Sequence, residues 1–362
     1  MMDLNASVRL PCGVVLPGRT ALAPMTNRQS HANGVLSDPE LEWLVRRARG
    51  GFSLVSTCAA FVCEEGKAWK GQLGIAHEDH VPGLTRLGTA LGELNTVSIV
   101  QLHHGGKRAS LAPGLRLSAM DDAEASTRGA TLEDLDRVVE CFSDAAVRAE
   151  RAGLSGVEVH GANGYLFTQF LSPVENQRQD DYGGNLENRA RLLLRVVRAI
   201  RSRVGAGFAV GVRLSPVDVR TRWGLTLDDT CQVVLALAAD GIDFLHLSLA
   251  DAAGSPPFED EQRPVASVIR GVLPRSIPLL AAGGIWSGME AAQAMGAGVD
   301  VVAVGTAAIP EPDWPRLAAQ ESWTPASPPW TPAGLERVSV SPDFVEYLRL
   351  FPGLVTDGRP PR

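Results

Sequence analysis

Three polar side chains that could act on a carbonyl compound lie within one short stretch of the chain. His160, Asn163 and Tyr165 follow an apolar run that ends at His160. Residues three apart share one face of a helical turn, so His160 and Asn163 could direct two hydrogen-bond donors at one oxygen. Tyr165 adds a phenolic proton with an ordinary pKa of about 10. The spacing alone also fits a loop pair whose members simply satisfy each other.

Two glycine-containing turns near the end of the chain could bind an anion. Gly283-Gly284 and Gly305-Thr306 each follow a short apolar run and precede a helix-like stretch. Bare backbone N–H groups at a helix N-terminus form a phosphate site, and in α/β barrels this site lies after the last two strands. Each turn alone could equally serve a tight change of direction, but the two together favour a phosphate site.

Short apolar runs alternate with amphipathic stretches along the whole chain. The predicted strands are Ala21–Met25, Ser53–Thr57, Val97–Leu102, Gly156–His160, Ala209–Leu214, Phe244–Ser248, Pro278–Ala282 and Asp300–Val304. The predicted helices lie near 39–49, 83–94, 131–152, 186–203, 227–239, 262–272, 287–295 and 312–320. This alternation indicates parallel strands joined by right-handed crossovers, and the apolar runs suit strands that are covered on both faces.

A closed barrel and an open doubly wound sheet both fit this pattern. The count of eight favours an α/β fold of the (β/α)8 TIM-barrel type, as a single domain over residues 1–362. Arg9–Val15, with Cys12-Gly13 as its turn, is predicted to be an N-terminal β-hairpin that could close the barrel floor. The C-terminal tail 321–340 is rich in Pro, Ser and Trp and is predicted to be irregular, with a short helix near Pro342–Leu350.

Composition argues against several classes of partner and site. The chain has 34 Lys and Arg against 41 Asp and Glu, a formal charge of −7, and no basic run, so nucleic acid is not an expected partner. Its five cysteines include no C-x-x-C pair, which argues against a disulfide framework and against a metal site. No signal-peptide pattern and no apolar run of about 18 residues is present, so we expect a cytoplasmic protein without a membrane partner.

The stretch from Val157 to Leu194, which begins VEVHGANGYL, resembles the Old Yellow Enzyme family of flavin oxidoreductases. Further similar motifs occur in consistent order along nearly the whole chain. They are ALAPMT at 21–26, GGFSLVSTCAAFV at 50–62, VQLHHGGKRA at 100–109, VRLSP at 212–216 and AAGGI at 281–285.

The resemblance implies FMN as the cofactor, bound by residues from several strand ends. The backbone of Ala23, Pro24 and Met25, and that of Ala59, would lie along the flavin ring. The Thr26 hydroxyl would bond the flavin C4 carbonyl, Gln101 would pair with the pyrimidine edge, and Arg213 would lie near N1. Gly283, Gly284, Gly305 and Thr306 would surround the phosphate.

The resemblance also implies a reaction: reduction of activated carbon–carbon double bonds, with NADPH or NADH as the hydride donor. His160 and Asn163 would hold the carbonyl or nitro oxygen of a small alkene substrate. Hydride would pass from flavin N5 to the β-carbon, and Tyr165 would protonate the α-carbon from the opposite face. General acid catalysis of this kind contributes about 10²–10⁴-fold.

Some residues depart from the family pattern. Thr306 stands where the family usually has an arginine that grips the FMN phosphate, and Lys107 stands where arginine is usual. A hydroxyl brings no charge and no bidentate fork, so we expect weakened FMN binding. Cys58 and Cys63 should lie near the flavin face, where core filling is favoured over redox chemistry. Trp69 and Trp223 are expected in loops at the rim of the active site, where they could contact the substrate.

Two other functions remain compatible with the sequence. The first is a pathway-specific flavin dehydrogenase or desaturase that runs the same chemistry in the opposite direction. The second is a non-catalytic barrel that has lost flavin binding, which Thr306 suggests and the retained Gln101 and Arg213 oppose. A homo-oligomer is also compatible, since Arg349 near the C-terminus could reach a neighbouring site.

Overall fold

The computed structural model describes residues 3–216, 224–254, 261–320 and 323–356. Trp223, which was predicted at the rim of the site, lies outside them. The strands are β1 (Val8–Arg9), β2 (Val15–Leu16), β3 (Thr20–Leu22), β4 (Leu54–Phe61), β5 (Val97–His103), β6 (Arg116–Ser118), β7 (Thr127–Gly129), β8 (Gly156–Gly161), β9 (Ala209–Leu214), β10 (Phe244–Ser248), β11 (Leu279–Ala282) and β12 (Val301–Val304).

Helices follow the strands in the order that the sequence predicted. They are α1 (Asp38–Arg49), α2 (Val81–Glu93), α3 (Leu132–Arg151), α4 (Leu166–Leu171), α5 (Leu186–Arg201), α6 (Leu227–Ala239), α7 (Val265–Val272), α8 (Gly288–Gly296), α9 (Trp314–Leu317), α10 (Pro332–Glu336) and α11 (Pro342–Leu348). Several begin at side-chain caps that satisfy the first free N–H groups, as Thr131 does for α3 and Thr226 for α6.

Eight parallel strands close into a barrel in the order β3-β4-β5-β8-β9-β10-β11-β12. The barrel closes because β12 pairs with β3, with Val302 opposite Thr20 and Val304 opposite Leu22. This pairing confirms the (β/α)8 TIM-barrel prediction and excludes the open sheet. The single domain over residues 1–362 stays a prediction.

Some element bounds differ from those predicted. β3 ends at Leu22 because Pro24 has no N–H to continue the ladder, although the N–H of Ala23 still donates to Val304. β4 continues to Phe61 past a register shift between Ser56 and Ala59, which bends the strand where it reaches the site. The tail predicted to be irregular over 321–340 contains the short helix α10, which begins at a Thr331 cap followed by Pro332.

The N-terminal hairpin covers one end of the barrel, as predicted. β1 and β2 pair antiparallel, and Leu10 and Leu16 are buried in an apolar cluster with inward residues of the strands, among them Phe244. The backbone N–H of Cys12 donates to the Asp243 carboxylate at the start of β10. Because the hairpin occupies this N-terminal end, ligand chemistry is left to the opposite end.

Several polar residues of the barrel strands pair in register with polar residues of the neighbouring strand. Gln101 of β5 lies opposite Glu158 of β8, and His160 lies opposite Arg213 of β9. His246 of β10 also pairs in register with Arg213. Side chains alternate between faces along a strand, so Glu158 and His160 point to the same side as each other. Among the described residues, no helix is both long and apolar enough to cross a membrane.

Candidate active site

A cavity of about 450 Å³ opens at the C-terminal end of β3, β11 and β12. Its lining comprises Ala23, Pro24, Met25, Arg213, Leu249, Ala282, Gly283, Gly284, Ile285, Trp286, Ala303, Gly305 and Thr306. Eight of the eleven residues predicted to bind the cofactor line this one cavity, and we call it the cofactor cavity. The sequence reasoning missed Leu249 and Trp286, which no motif marked.

The two turns differ in whether the protein's own structure requires glycine. Gly283 and Gly284 have φ values of 146° and 64°, which side chains rarely adopt. A Cβ at Gly283 would also lie 2.3 Å from the carbonyl oxygen of Leu249. At Gly305, by contrast, the nearest atom to such a Cβ would be 3.6 Å away, at Met25. Protein packing therefore does not require glycine at Gly305. A ligand that lies against the backbone there would require it.

Arg213 presents an unused donor at the edge of the cofactor cavity. The side chain is buried, and its Nε has no hydrogen-bond partner among the described residues. Burial lowers the pKa of Arg213, while the nearby Glu158 carboxylate opposes this shift. A buried donor without a partner is costly, so this arrangement is typical of a group that awaits a ligand acceptor.

Glu158 lies close to Arg213 and links a predicted residue, Gln101, to an unpredicted one, His246. It accepts a 2.7 Å hydrogen bond from Gln101 Nε2 and a 2.8 Å bond from His246 Nδ1. Burial raises the pKa of Glu158, but His246, Arg213 and Gln101 together outweigh it and hold the pKa below its usual value. One N–H of Gln101 is thus committed to Glu158, which fixes the orientation of the amide.

The other two predicted cofactor residues border this region. The backbone carbonyl of Ala59 accepts a hydrogen bond from Gln72, at the bend in β4. Burial raises the pKa of Tyr347 in α11, and the side chain of Thr26 opposes this rise, so an unpredicted residue of the C-terminal helix lies beside Thr26. The Tyr347 ring in turn lies 4.8 Å beneath the guanidinium of Arg28, which adopts a left-handed backbone with φ of 57°. Such a conformation is uncommon for a long side chain.

His160 is held as a neutral imidazole with one defined donor. Its Nδ1 accepts a 3.3 Å bond from the backbone N–H of Ala162, so the ring proton lies on Nε2. Burial lowers the pKa of His160 well below its usual value, and the charges of His103 and Arg213 lower it further. The residue can therefore donate a hydrogen bond but is not an acid at neutral pH.

Asn163 lies in the turn after β8, with a left-handed φ of 59° that asparagine tolerates well. Its Oδ1 accepts bonds from Ser215 at 3.2 Å and from Ser248 at 3.1 Å. These bonds leave the Nδ2 donors as the free end of the amide. The side chain is exposed, so the structure places Asn163 at the rim above the more deeply buried His160.

Tyr165 packs against the rings of His160 at the end of β8 and His103 at the end of β5. Its ring centroid lies 5.0 Å from that of His160 and 4.3 Å from that of His103, both edge to face. The guanidinium of Arg108 lies 4.8 Å from the ring centroid on Tyr165. Burial raises the pKa of Tyr165, and Arg108 opposes the shift, so the phenol keeps its proton at neutral pH.

His103 is a site residue that the sequence reasoning did not single out. Its Nδ1 lies 3.1 Å from Gln72 Nε2, a donor, so the His103 proton must lie on Nε2. That Nε2 is buried and has no partner among the described residues. The signal was present in the sequence, because strand alternation places His103 on the same face as Gln101, and His104 on the other.

Trp69, His103, Arg108, His160 and Tyr165 form one group, which we call the mouth cluster. The Trp69 ring centroid lies 5.4 Å from that of His103 and 6.4 Å from that of Tyr165. Its Nε1 is also buried without a partner among the described residues. The unpartnered buried atoms of this cluster are thus N–H donors, which suits a ligand rich in acceptors.

FMN fits the cofactor cavity on the structure's own terms. The donor on Arg213 and the ligand-facing glycines supply the polar contacts that a flavin edge and a phosphate need. The phosphate end lacks the arginine that the family usually has. Among the described lining residues, Arg213 is the sole basic side chain, so no other basic residue of the lining takes the place of that arginine beside Thr306.

Comparisons with known proteins define the class. The model of the NADH:flavin oxidoreductase / NADH oxidase family matches residues 13–323, and the chain belongs to this family. It is therefore an oxidoreductase of the Old Yellow Enzyme type that uses FMN, with NADH or NADPH as the reductant.

Individual relatives agree with this assignment. The probable NADH-dependent flavin oxidoreductase YqiG of Bacillus subtilis is 35% identical over 313 residues, which cover 83% of this chain and 84% of that protein. The NADH:fumarate oxidoreductase of Klebsiella pneumoniae is 33% identical over 331 residues, 86% of this chain but only 35% of that protein. An Old Yellow Enzyme homologue from Zymomonas mobilis shares the fold, with a TM-score of 0.78 at 23% identity over 92% of this chain and 98% of that one.

Thr306→Arg is expected to tighten FMN binding. A charged hydrogen bond to the phosphate contributes about 1.5–3 kcal/mol, which corresponds to a roughly ten- to a hundredfold lower Kd. Fluorescence titration of flavin-free protein with FMN measures the change. Thr85→Arg, on an exposed position of α2, controls for the added charge alone. Equal dissociation constants for wild type and Thr306→Arg would show that backbone donors already suffice.

Proposed function

We propose that this oxidoreductase is an ene-reductase that reduces the double bond of small activated alkenes. The observation that carries the proposal is the grouping of His160 with the protonated phenol of Tyr165, next to Arg213, which lines the cofactor cavity. The amide of Asn163 lies in the turn that joins His160 to Tyr165. The substrate's carbonyl or nitro oxygen would accept hydrogen bonds from His160 Nε2 and Asn163 Nδ2. The name of the fumarate oxidoreductase relative supports the proposal, since fumarate is an alkene conjugated to carboxyl groups.

The cofactor's contribution is the exchange of hydride, which FMN takes from NADH or NADPH and supplies to the substrate. The protein's own contribution begins with polarisation. His160 and Asn163 stabilise the negative charge that develops on the substrate oxygen when the β-carbon receives two electrons and a proton as hydride. Because both donors are neutral and fixed by other bonds, they need little reorganisation during the reaction.

Tyr165 completes the addition by giving its phenolic proton to the α-carbon. Solvent then returns a proton to the phenolate, so the net change is one alkene, one NAD(P)H and one proton converted to one alkane and one NAD(P)⁺. The guanidinium of Arg108 over the ring stabilises the transient phenolate. In this proposal Tyr165 is an acid that is protonated at rest and regenerated after each turnover.

Anaerobic titration tests the proposed function directly. We expect NADPH or NADH to bleach the visible absorbance of the bound flavin, and 2-cyclohexenone to restore it with formation of cyclohexanone. A flavin that NADPH bleaches but that no enone or nitroalkene reoxidises would contradict the proposal. Bleaching by a saturated ketone, with no response to NAD(P)H, would instead identify the desaturase alternative. Protein that acquires no visible absorbance with added FMN would identify the non-catalytic barrel.

A further inference from the structure

Hydrogen bonds and close packing fix the position of the turn that carries Arg108 beside Tyr165. It ends the short 3-10 turn Gly106–Arg108, in which Gly106 has a φ of 57° and approaches Gln169 so closely that a Cβ would lie 2.4 Å from its Oε1. Gln169 accepts from the N–H of Lys107 and donates to the carbonyl of Gly164, beside Tyr165. The same buried amide therefore fixes the Arg108 turn against the Tyr165 turn.

Arg108 differs from its neighbour in how its charge is balanced. Lys107 makes an ion pair with Glu175, whereas Arg108 has no carboxylate partner in the described part of the chain. One of its guanidinium nitrogens donates a 2.6 Å bond to the carbonyl oxygen of Asn163, and the group lies over the Tyr165 ring. The remaining donors of this exposed guanidinium are left for solvent or for a ligand.

The electrostatic surroundings of the mouth cluster are positive, although the whole chain carries −7. Burial raises the pKa of Tyr165, and the guanidinium groups of Arg108 and Arg213 oppose this rise, with no carboxylate of the described residues acting on the phenol. Burial lowers the pKa of His103 well below its usual value, and the Arg108 guanidinium lowers it further. The unpartnered donors of Trp69 and His103 lie in the same cluster. A neutral enone has one acceptor oxygen and no charge, so it would leave the positive charge of Arg108 without an anionic partner.

We infer that the substrates of this site carry a carboxylate in addition to the group that activates the alkene, and that Arg108 binds this carboxylate. The inference rests on the proposed ene-reductase function and names its substrate class. Arg108 is preferred over Arg28 as the anchor, because Asp343 and Glu346 line the same cavity as Arg28 and oppose an anion there. A planar guanidinium also matches a carboxylate with two parallel hydrogen bonds.

A matched pair of substrates tests this assignment on the holoenzyme. Monomethyl fumarate carries one activating ester and one carboxylate, whereas dimethyl fumarate carries two esters and no charge. We expect Arg108→Gln to lower kcat/KM for monomethyl fumarate by about 10–100-fold more than for dimethyl fumarate. Arg108→Lys should give an intermediate loss, because it keeps the charge but not the fork. Arg9→Gln, at the hairpin end of the barrel, removes one positive charge as the control.

Binding measurements provide a readout that does not depend on turnover. Calorimetric titration with monomethyl succinate and dimethyl succinate, the saturated products, should show the same selective loss in Arg108→Gln. The preference for the charged ligand should also weaken as salt rises, because the anchor is exposed.

The outcomes separate this inference from the proposed function. If Arg108→Gln changes kcat/KM for both fumarate esters by the same factor, Arg108 acts only through Tyr165 or through packing, and the inference fails while ene-reduction stands. If the loss falls instead on the reaction with NADPH, Arg108 binds the nicotinamide donor and the inference also fails. If wild-type enzyme reduces neither ester nor 2-cyclohexenone while NADPH bleaches its flavin, the proposed function itself is wrong.

Discussion

Tyr165→Phe is expected to slow reoxidation of the reduced flavin by 2-cyclohexenone by about 10²–10⁴-fold, the usual contribution of a positioned general acid. The variant keeps the ring that packs on His103 and His160 and loses only the proton. Anaerobic stopped-flow mixing separates this step from flavin reduction by NADPH, which should change far less because no proton passes to carbon in it.

The pH dependence of the same step gives a second check. Because burial raises the pKa of Tyr165 above its usual value of about 10, the phenol stays protonated through neutral pH. The wild-type rate should therefore fall only at alkaline pH, where the phenol ionises, and Tyr165→Phe should lack this fall. Tyr182→Phe, whose hydroxyl accepts from Arg195 on α5, is the matched control. Equal slowing of both half-reactions in Tyr165→Phe would point to disturbed packing instead of lost acid catalysis.

The barrel could be predicted because its signals are local. Apolar runs such as Val97–Leu102 and Phe244–Ser248 coincide closely with β5 and β10, since parallel strands covered on both faces need continuous apolar sequence. The bend in β4 near Ala59 was not predictable, because it depends on the register against β5 and not on composition. The short helix α10 was missed for a related reason, as its stability comes from a cap and packing in a segment rich in proline.

The candidate site likewise contains residues that could be predicted from the sequence and residues that could not. The resemblance named eight of the residues that line the cofactor cavity but not Leu249 or Trp286. Gly283 and Gly284 were recognisable because their backbone geometry strongly favours glycine. Tyr347 was missed because its contact with Thr26 joins the two ends of the chain, and no spacing rule links them. His103 could have been found from strand alternation, but the tautomer that makes it a donor follows from Gln72, a residue in a distant loop.

The partner of the phenol is the neutral imidazole of His160, and removing it is expected to have the second largest effect. His160→Ala should lower the rate of enone reduction by about 10²–10³-fold, the cost of deleting one donor to a developing oxyanion. His160→Asn keeps an N–H donor at a shorter reach and should recover part of the loss. Stopped-flow reoxidation by 2-cyclohexenone measures both variants, with His77→Ala, an exposed histidine, as the control.

The protonation state of His160 can be checked without turnover. Its Nδ1 accepts from the N–H of Ala162, and burial lowers its pKa well below the usual value, so the ring should be neutral at neutral pH with its proton on Nε2. Nitrogen-15 NMR of the histidine rings reports both features. Since a neutral donor loses nothing as the pH rises through about 6.5, the rate of enone reduction should show no imidazole titration around that pH. A rate that rises on acidification with an imidazole pKa would mean that an imidazolium, and not the Nε2–H of a neutral ring, polarises the substrate.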